Sequence, residues 1–483
     1  SLRALVTIDW RDFVEEASQV EAILRDDPAG IHAAMDFATR DRYRHAVERL
    51  SRTSRHDEVA TARAVLAACR LPGNDELATH VGYHLIGAGA RAMEGELGAR
   101  TGFAASCRRA FDTAPFAFAL SALLVLTAVL GRGVIATASA PSVPAWALVA
   151  FAFGASLVAS QLAISLLNLL ATLVTTPDCL PRMDYAAGIP ARASAIVVVP
   201  TLLGDVEDVE AIVESLEVRF LANRDTALYF ALLTDFTDAD AVSLPGDAAI
   251  LDTAHHLLAS LNAKYASSDA DRFFFFHRPR RWSETERRWI GFDRKRGKLV
   301  ALNALLRGEG ADAFMRVVGR LSGLPPVRYV ITLDTDTQLP RDTAHLLVAA
   351  MDHPLNRPVF AKDGAKVLSG YGIMQPRAGI GLPARARSTF ARLYGSDAGM
   401  DPYTRAISDV YQDLFHEGSF IGKGIYDIDA FERAMAGRLR DERVLSHDLI
   451  EGCFARSALL SDVTVFEEIP ERYVDDTLRR HRW

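Results

Sequence analysis

Two aspartates close an apolar run in the middle of this sequence, where Val327 to Asp342 reads V-R-Y-V-I-T-L-D-T-D-T-Q-L-P-R-D. Tyr329 to Leu333 is β-rich and long enough for a buried strand, so Asp334 and Asp336 fall where that strand leaves its sheet. Unpaired acids in such a place are costly, and something positive must meet them. At a strand end the chain turns, so two carboxylates one residue apart can approach a single cation. Oxygen-only ligands favour Mg²⁺ or Mn²⁺, typically shared with phosphate oxygens, and a metal carrying a diphosphate is therefore one answer.

Other acids extend the pattern. Thr226 to Leu233 reads as a strand ending at Asp235, and His416-Glu417-Gly418-Ser419-Phe420 follows a long segment. Val444 to Gly452 places Asp448 at a helix start, and the sequence closes on Arg479-Arg480-His481-Arg482-Trp483. The order is an acid after an early strand, D-x-D, a lone Asp and R-x-x-R-W, which is far more specific than any one element. A competing reading takes Asp334-Thr335-Asp336-Thr337 as the nucleophile loop of a haloacid-dehalogenase-like phosphatase, with Asp334 attacking phosphorus. That loop belongs on the first strand of its domain, whereas several strand and helix units precede it here.

The elements that must position these residues alternate. Ala195 to Val199 reads as a strand closed by Pro200, and Asp205 with Asp208 opens an amphipathic helix from Val209 to Phe220. Helix His255 to Lys264, strand Arg272 to Phe276, helix Lys298 to Arg307 and strand Val327 to Leu333 continue the rhythm of a mostly parallel α/β sheet. Ligands of such sheets collect at the carboxyl ends of the strands, where Thr201, Asp235, Asp334 and Asp336 fall. The basic run Arg278 to Lys298 reads as a solvated or lipid-headgroup face, with Arg280, Arg281, Arg287 and Arg288 unassigned.

Residues 1–112 are helical in period, stepping by three and four from Trp10 to Leu24 before Asp26-Asp27-Pro28 stops the helix, and hold no catalytic constellation. Between Asp112 and Asp178 only Arg132 is charged. Thr113 to Gly131 spans roughly 28 Å as a helix and Ala145 to Thr176 roughly 48 Å, with Pro141 and Pro144 turning between them. We read residues 113–177 as a transmembrane hairpin, which sets residues 1–112 and 178–483 on one side of a lipid bilayer. Arg108, Arg109 and Arg182 flank it against Arg132 in the turn, favouring the cytoplasm for both soluble parts. Four scattered cysteines suit reduced thiols, and a net charge of −7 over 483 residues argues against nucleic acid as a partner.

With these motifs in order, the chain resembles the processive membrane glycosyltransferases of the cellulose and hyaluronan synthase type. More closely, "VVVPTLLGDVEDVEAIVESLEVRFLANRD", "LLTDFTDA", "RKRGKLVALNALLRG", "LDTDTQLPRD", "FHEGSFIGKGIYDIDAF" and "SHDLIEG" resemble the glycosyltransferase region of bacterial cyclic β-1,2-glucan synthases. "TIDWRDFVEEASQVEAILRDDPAG" and "MDFATRDRYR" extend the likeness to the N-terminal part. The resemblance implies an α/β, GT-A-like domain over 178–483, preceded by a small helical domain and the membrane hairpin. It implies an inverting glucosyltransferase of the bacterial inner membrane, elongating a β-1,2-glucan from UDP-glucose with Mg²⁺ or Mn²⁺. By position, Thr201 and Asp235 would hold the uridine part, and Lys298 with Asn303 the diphosphate or ribose side. Asp334 and Asp336 would bind the metal, and Asp448 would be the general base. Arg482 would neutralise the leaving diphosphate. His416, Glu417, Gly418, Ser419 and Trp483 would meet the acceptor glucan, with Gln375-Pro376 a strand end beside them. Arg479 stands where the wider superfamily has Gln, and Ser446-His447-Asp448 where it has T-E-D. The family's proteins are far longer, with further membrane helices and a phosphorylase-like module that trims the glucan. The expectation is therefore a piece or a short relative, and a catalytically silent nucleotide-binding scaffold is the remaining alternative.

Overall fold

The computed structural model describes residues 10–100, 102–138, 144–175, 179–266, 270–362, 364–394, 410–444 and 447–481. The chain divides into two compact units, one formed by residues 1–99, 179–405 and 418–483 and the other by 100–178 and 406–417.

The first unit is built on an eight-stranded sheet. Its strands are β1 (Ala195–Leu203), β2 (Leu228–Phe236), β3 (Phe273–Arg278), β4 (Arg316–Val318), β5 (Tyr329–Thr332), β6 (Ile373–Ile380), β7 (Gly424–Asp427) and β8 (Ser457–Glu467), in the order β8-β6-β7-β5-β1-β2-β3-β4. The pairs β5-β1, β1-β2, β2-β3 and β6-β8 are parallel, whereas β7 runs antiparallel to both β5 and β6 and β4 antiparallel to β3. The mostly parallel α/β sheet expected from the alternating pattern is therefore present. β1 continues through Pro200 instead of closing there. The Val198 carbonyl accepts from Leu333 N–H on the β5 side, and by the period of two Pro200 turns its missing N–H to that same side, beyond the end of β5.

Strand periodicity also splits the core between two faces. Val197, Val199, Phe230 and Leu232 pack with the N-terminal helices, whereas Ile196, Val198, Ala231 and Leu233 pack under Leu299, Leu302 and Phe431. The helices named below come from the second unit, α1 (Pro115–Ala138) and α2 (Ala145–Val174), and from the first, α3 (Val206–Ala222), α4 (Asp247–Lys264), α5 (Arg294–Leu306), α6 (Thr343–Asp352), α7 (Ile428–Met435) and α8 (Asp448–Ala455). Asp205 caps α3 by accepting from Asp208 N–H at 2.8 Å, as its place in the sequence predicts. In the second unit, α1 and α2 are each long and apolar enough to cross a bilayer, and they leave Phe116, Leu124, Trp146 and Val158 exposed.

The N-terminal helices belong to the same compact unit as the sheet. Asp184 N–H donates to Ala34 O at 2.8 Å, and His353, fully buried, meets Met35. The helix predicted from Trp10 to Leu24 is broken at Ser18, whose hydroxyl caps the second piece through Glu21 N–H at 3.2 Å. Glu21 is completely buried and accepts from Arg44 at 2.7 Å and Arg25 at 3.1 Å, with His32 at 3.2 Å. Burial opposes its ionisation, but His32, Arg44 and Arg25 outweigh burial and bring its pKa from 4.5 to about 2. A depressed carboxylate contributes stability that is complete above its unfolded pKa and lost as pH falls from 4.5 towards 2. At about 1.4 kcal/mol per unit, roughly 3 kcal/mol is at stake. Glu21→Gln is expected to lower the thermal midpoint near neutral pH and to flatten its dependence between roughly pH 5 and 2, read by circular dichroism.

Candidate active site

Asp235 is the penultimate residue of β2 and is 1% exposed. It is held by a two-pronged ion pair, Arg278 Nε to Oδ1 and Nη2 to Oδ2, both at 2.9 Å. Gly291 presses on it so closely that a Cβ there would sit 2.2 Å from Oδ2. Lys298 reaches the same carboxylate at 3.5 Å and donates to the Thr201 carbonyl at 2.7 Å. Burial lowers the Lys298 pKa to about 8, with Asp235 pulling it back up. Thr201 and Asp235 lie toward the carboxyl ends of β1 and β2, where the sequence places them, and Lys298 from α5 ties the two together, while Arg278 holds Asp235.

Asp334 leaves β5 two residues past its end and meets two ammonium groups. Lys295 Nζ lies 2.8 Å from Oδ1 and Lys423 Nζ 3.1 Å from Oδ2. The sheet explains the second: β7 runs antiparallel to β5 with Gly424 opposite Thr332, so Lys423, one residue before the strand, arrives beside Asp334. Burial would raise the Asp334 pKa, but Lys295 and Lys423 hold it below the ordinary aspartate value. Lys423 also pairs with Glu467 at the end of β8. Asp336 is half-buried in the turn that follows.

Lys295 carries the connection onward. Its Nζ also donates to the Gly422 carbonyl at 2.8 Å, and Gly422, at φ +87°, lies against Asp448. A Cβ on Gly422 would stand 2.7 to 2.8 Å from the Asp448 carboxylate atoms. Asp448 opens α8, and its buried Oδ1 has no hydrogen-bond partner among the described residues. Burial raises its pKa above the aspartate value, with Glu451 and Asp334 adding to the rise and Lys295 and His447 opposing it. His447, Asp448 and Glu451 offer one nitrogen and two carboxylates within 4.8 Å of one another, the one such cluster of three or more among the described residues. Two acidic settings at this end of the sheet therefore have donors that suit a cation: the oxygen-only Asp334/Asp336 turn, which fits a hard divalent ion, and the mixed His447 cluster.

Asn303 sits elsewhere. It is fully buried, donates to Glu432 at 2.7 Å and accepts from Tyr426 at 2.9 Å, partners on α7 and β7. Gly418 N–H donates to the Ser457 carbonyl at 2.8 Å, which holds the Gly418-Ser419 segment to the start of β8, and Gln375 on β6 accepts from Ile421 N–H at 2.6 Å. His416 and Glu417 belong to the second compact unit and are exposed. Arg482 and Trp483 lie outside the described residues.

Sequence reasoning missed Arg278, Lys295, Gly422 and Lys423. Arg278 and Lys295 lie in the basic run read as a solvated or headgroup face, yet Arg278 is buried, as is Arg280, which pairs with Asp247 at 2.5 Å. The available signal was a basic run that begins at the strand end after Phe276 and continues into the helix beginning at Arg294. A cavity of about 460 Å³ opens beside Arg278, lined among others by Phe292, Arg296 and Val300 and by none of the sequence-predicted residues.

No protein-family model matches this chain. Over 495 aligned positions it is 38% identical to the cyclic β-(1,2)-glucan synthase NdvB of Rhizobium meliloti (strain 1021). The chain is homologous to a region of that synthase. The match takes in all of this chain and 17% of the length of NdvB. A solved galactosyltransferase, LgtC, in complex with donor and acceptor sugar analogues, is 12% identical, with 57% of this chain and 87% of that one covered at a TM-score of 0.24, too remote to bear on the site.

Proposed function

We propose that this chain is a glucosyltransferase that lengthens a β-1,2-glucan from UDP-glucose by a single inverting displacement. One observation carries the reading: in a homologue of a glucan synthase region, Asp334 and Asp448 are joined through Lys295 and Gly422 at the carboxyl end of a mostly parallel sheet. Asp448 takes the proton from the attacking acceptor hydroxyl. Its unshared, buried Oδ1 is the atom available for that proton. Thr201, Asp235 and Lys298 shape the nucleotide side, and Asp235 acts there chiefly by fixing Arg278 and Lys298. Asn303, further along the helix of Lys298, supports β7 through Tyr426.

Asp334 and Asp336 hold a divalent ion, Mg²⁺ or Mn²⁺, which supplies charge neutralisation to the departing diphosphate. Lys295 and Lys423, both bonded to Asp334, add positive charge on the same side. Gly418 and Ser419 border the acceptor, with His416 and Glu417, while Arg482, outside the described residues like Trp483, neutralises the leaving diphosphate and Trp483 meets the glucan. Residues 113–177 cross the bacterial inner membrane as a hairpin with both soluble parts on the cytoplasmic side, and the helical part is residues 1–112. The glucan acceptor, the bilayer and the further membrane helices and phosphorylase-like module of longer relatives are the partners on this reading.

The test is release of UDP from UDP-glucose by the detergent-solubilised chain, titrated with Mn²⁺. Asp336→Asn is expected to raise the Mn²⁺ concentration needed for half-maximal release by about tenfold or more. Release of phosphate from a phosphomonoester, with label trapped on Asp334, would instead favour a phosphatase, and nucleotide binding without turnover a silent scaffold.

A further inference from the structure

Arg219, on α3, has only 4% of its surface exposed, yet among the described residues no carboxylate is bonded to its guanidinium. The group points at the backbone of the D-x-D turn. Nε donates to Thr337 O at 3.0 Å, and Nη2 lies 2.8 Å from Thr335 O, 2.7 Å from Thr337 O and 3.4 Å from Asp334 O. Nη1 is tethered to Ser215 Oγ, one helical turn earlier, at 2.6 Å. One turn later on the same face, Asn223 donates to Leu339 O at 3.3 Å and Pro340 O at 3.1 Å and accepts from Ala344 N–H at 2.9 Å, at the start of α6.

Two buried polar side chains of one helix thus satisfy the backbone from Thr335 to Ala344. Thr335 and Thr337 turn their carbonyls to Arg219, and with Thr337 buried an orphaned carbonyl there is costly. An apolar residue at position 219 would leave them unpaired. A lysine would bring one point charge where a planar fork spans two residues. The guanidinium is also close enough to Asp336 for the two charges to attract.

We infer that Arg219 is a positioning residue for the D-x-D turn, fixing the carbonyls of Thr335 and Thr337 so that the Asp334 and Asp336 carboxylates are held together for a divalent ion and its diphosphate. This rests on the metal role given to those aspartates above. Residues behind a metal's ligands typically change its affinity by 10- to 100-fold when altered.

The experiment measures free Mn²⁺ by electron paramagnetic resonance as the full chain is titrated in detergent with Mn²⁺ and UDP, so that binding is read without turnover. Arg219→Lys, shown folded by its circular dichroism, is expected to bind Mn²⁺ with UDP about tenfold more weakly than wild type. Ser215→Ala, which removes one tether and keeps the guanidinium, is expected to lose about two- to threefold. If Asp336→Asn loses Mn²⁺ while folded Arg219→Lys keeps wild-type affinity, the positioning role is overturned and the metal site stands. If Arg219→Lys fails to fold, unchanged affinity in Ser215→Ala overturns it instead. If wild type and Asp336→Asn take up Mn²⁺ alike, the metal site itself is wrong and the inference falls with it.

Discussion

Replacing Asp448 by Asn is expected to lower glucosyl transfer by roughly 10²- to 10⁴-fold while leaving the fold intact. The substitution keeps size and shape and removes only the proton-accepting charge. Asp448 is half-buried at the start of α8, and its buried Oδ1 meets no hydrogen-bond donor among the described residues, so the amide loses no bond there. The pH profile carries the sign of the argument. A general base works when deprotonated, so turnover rises with pH through the Asp448 pKa. Burial, with Glu451 and Asp334, sets that pKa above the ordinary 3.8. Lys295 opposes the rise, so Lys295→Met is expected to shift the acidic limb of kcat/KM further up. An unshifted limb in Lys295→Met would separate Lys295 from the base.

The second large effect needs no ionisable group. Gly422→Ala is expected to cut turnover by about 100-fold, with a smaller loss of stability. At φ +87° a side chain is strained. The new methyl would also stand 2.7 Å from Asp448 Oδ2 and 2.8 Å from Cγ and Oδ1, so either the base or the Gly422 backbone must shift. The second route pulls the Gly422 carbonyl away from Lys295, which bonds Asp334 through the same nitrogen. Displacements of about 1 Å at a reacting group cost on the order of 10²-fold. Kinetics beside a thermal melt distinguish this from unfolding: a folded Gly422→Ala enzyme at wild-type rate would show that the glycine merely shapes the loop.

What was legible in the sequence follows from which interactions are local. The strand before Asp334 shows in its β-branched and aromatic run, and the acids at its end stand out because a buried run should not finish on two carboxylates. Asp205 shows as a cap because its bond spans three residues. The two apolar helices show through length and scarcity of charge, although α1 runs on through Arg132, which the sequence pattern assigns to the turn. Lys295 and Lys423 were not legible, because their convergence on Asp334 depends on β7 entering antiparallel beside β5, a pairing between segments about ninety residues apart. Arg278 was hidden in a basic run because its partner, Asp235, lies on the neighbouring strand. Arg219 reads in sequence as one more charge on an amphipathic helix, and only the turn it faces gives it a task. Asp448 reads locally as a helix cap. Its chemical meaning came from resemblance, and its place beside Gly422 came from the fold.

The central claim is that this end of the sheet moves a glucosyl group from a nucleotide carrier to a sugar hydroxyl. Incubating the membrane-embedded chain with radiolabelled UDP-glucose, a glucan acceptor and Mn²⁺, then analysing linkages in the product, tests it most directly. Label in β-1,2-linked glucan that disappears in Asp448→Asn and on chelation is the predicted result. Incorporation that persists in Asp448→Asn, or none at all from a folded chain supplied with donor, acceptor and metal, would contradict it.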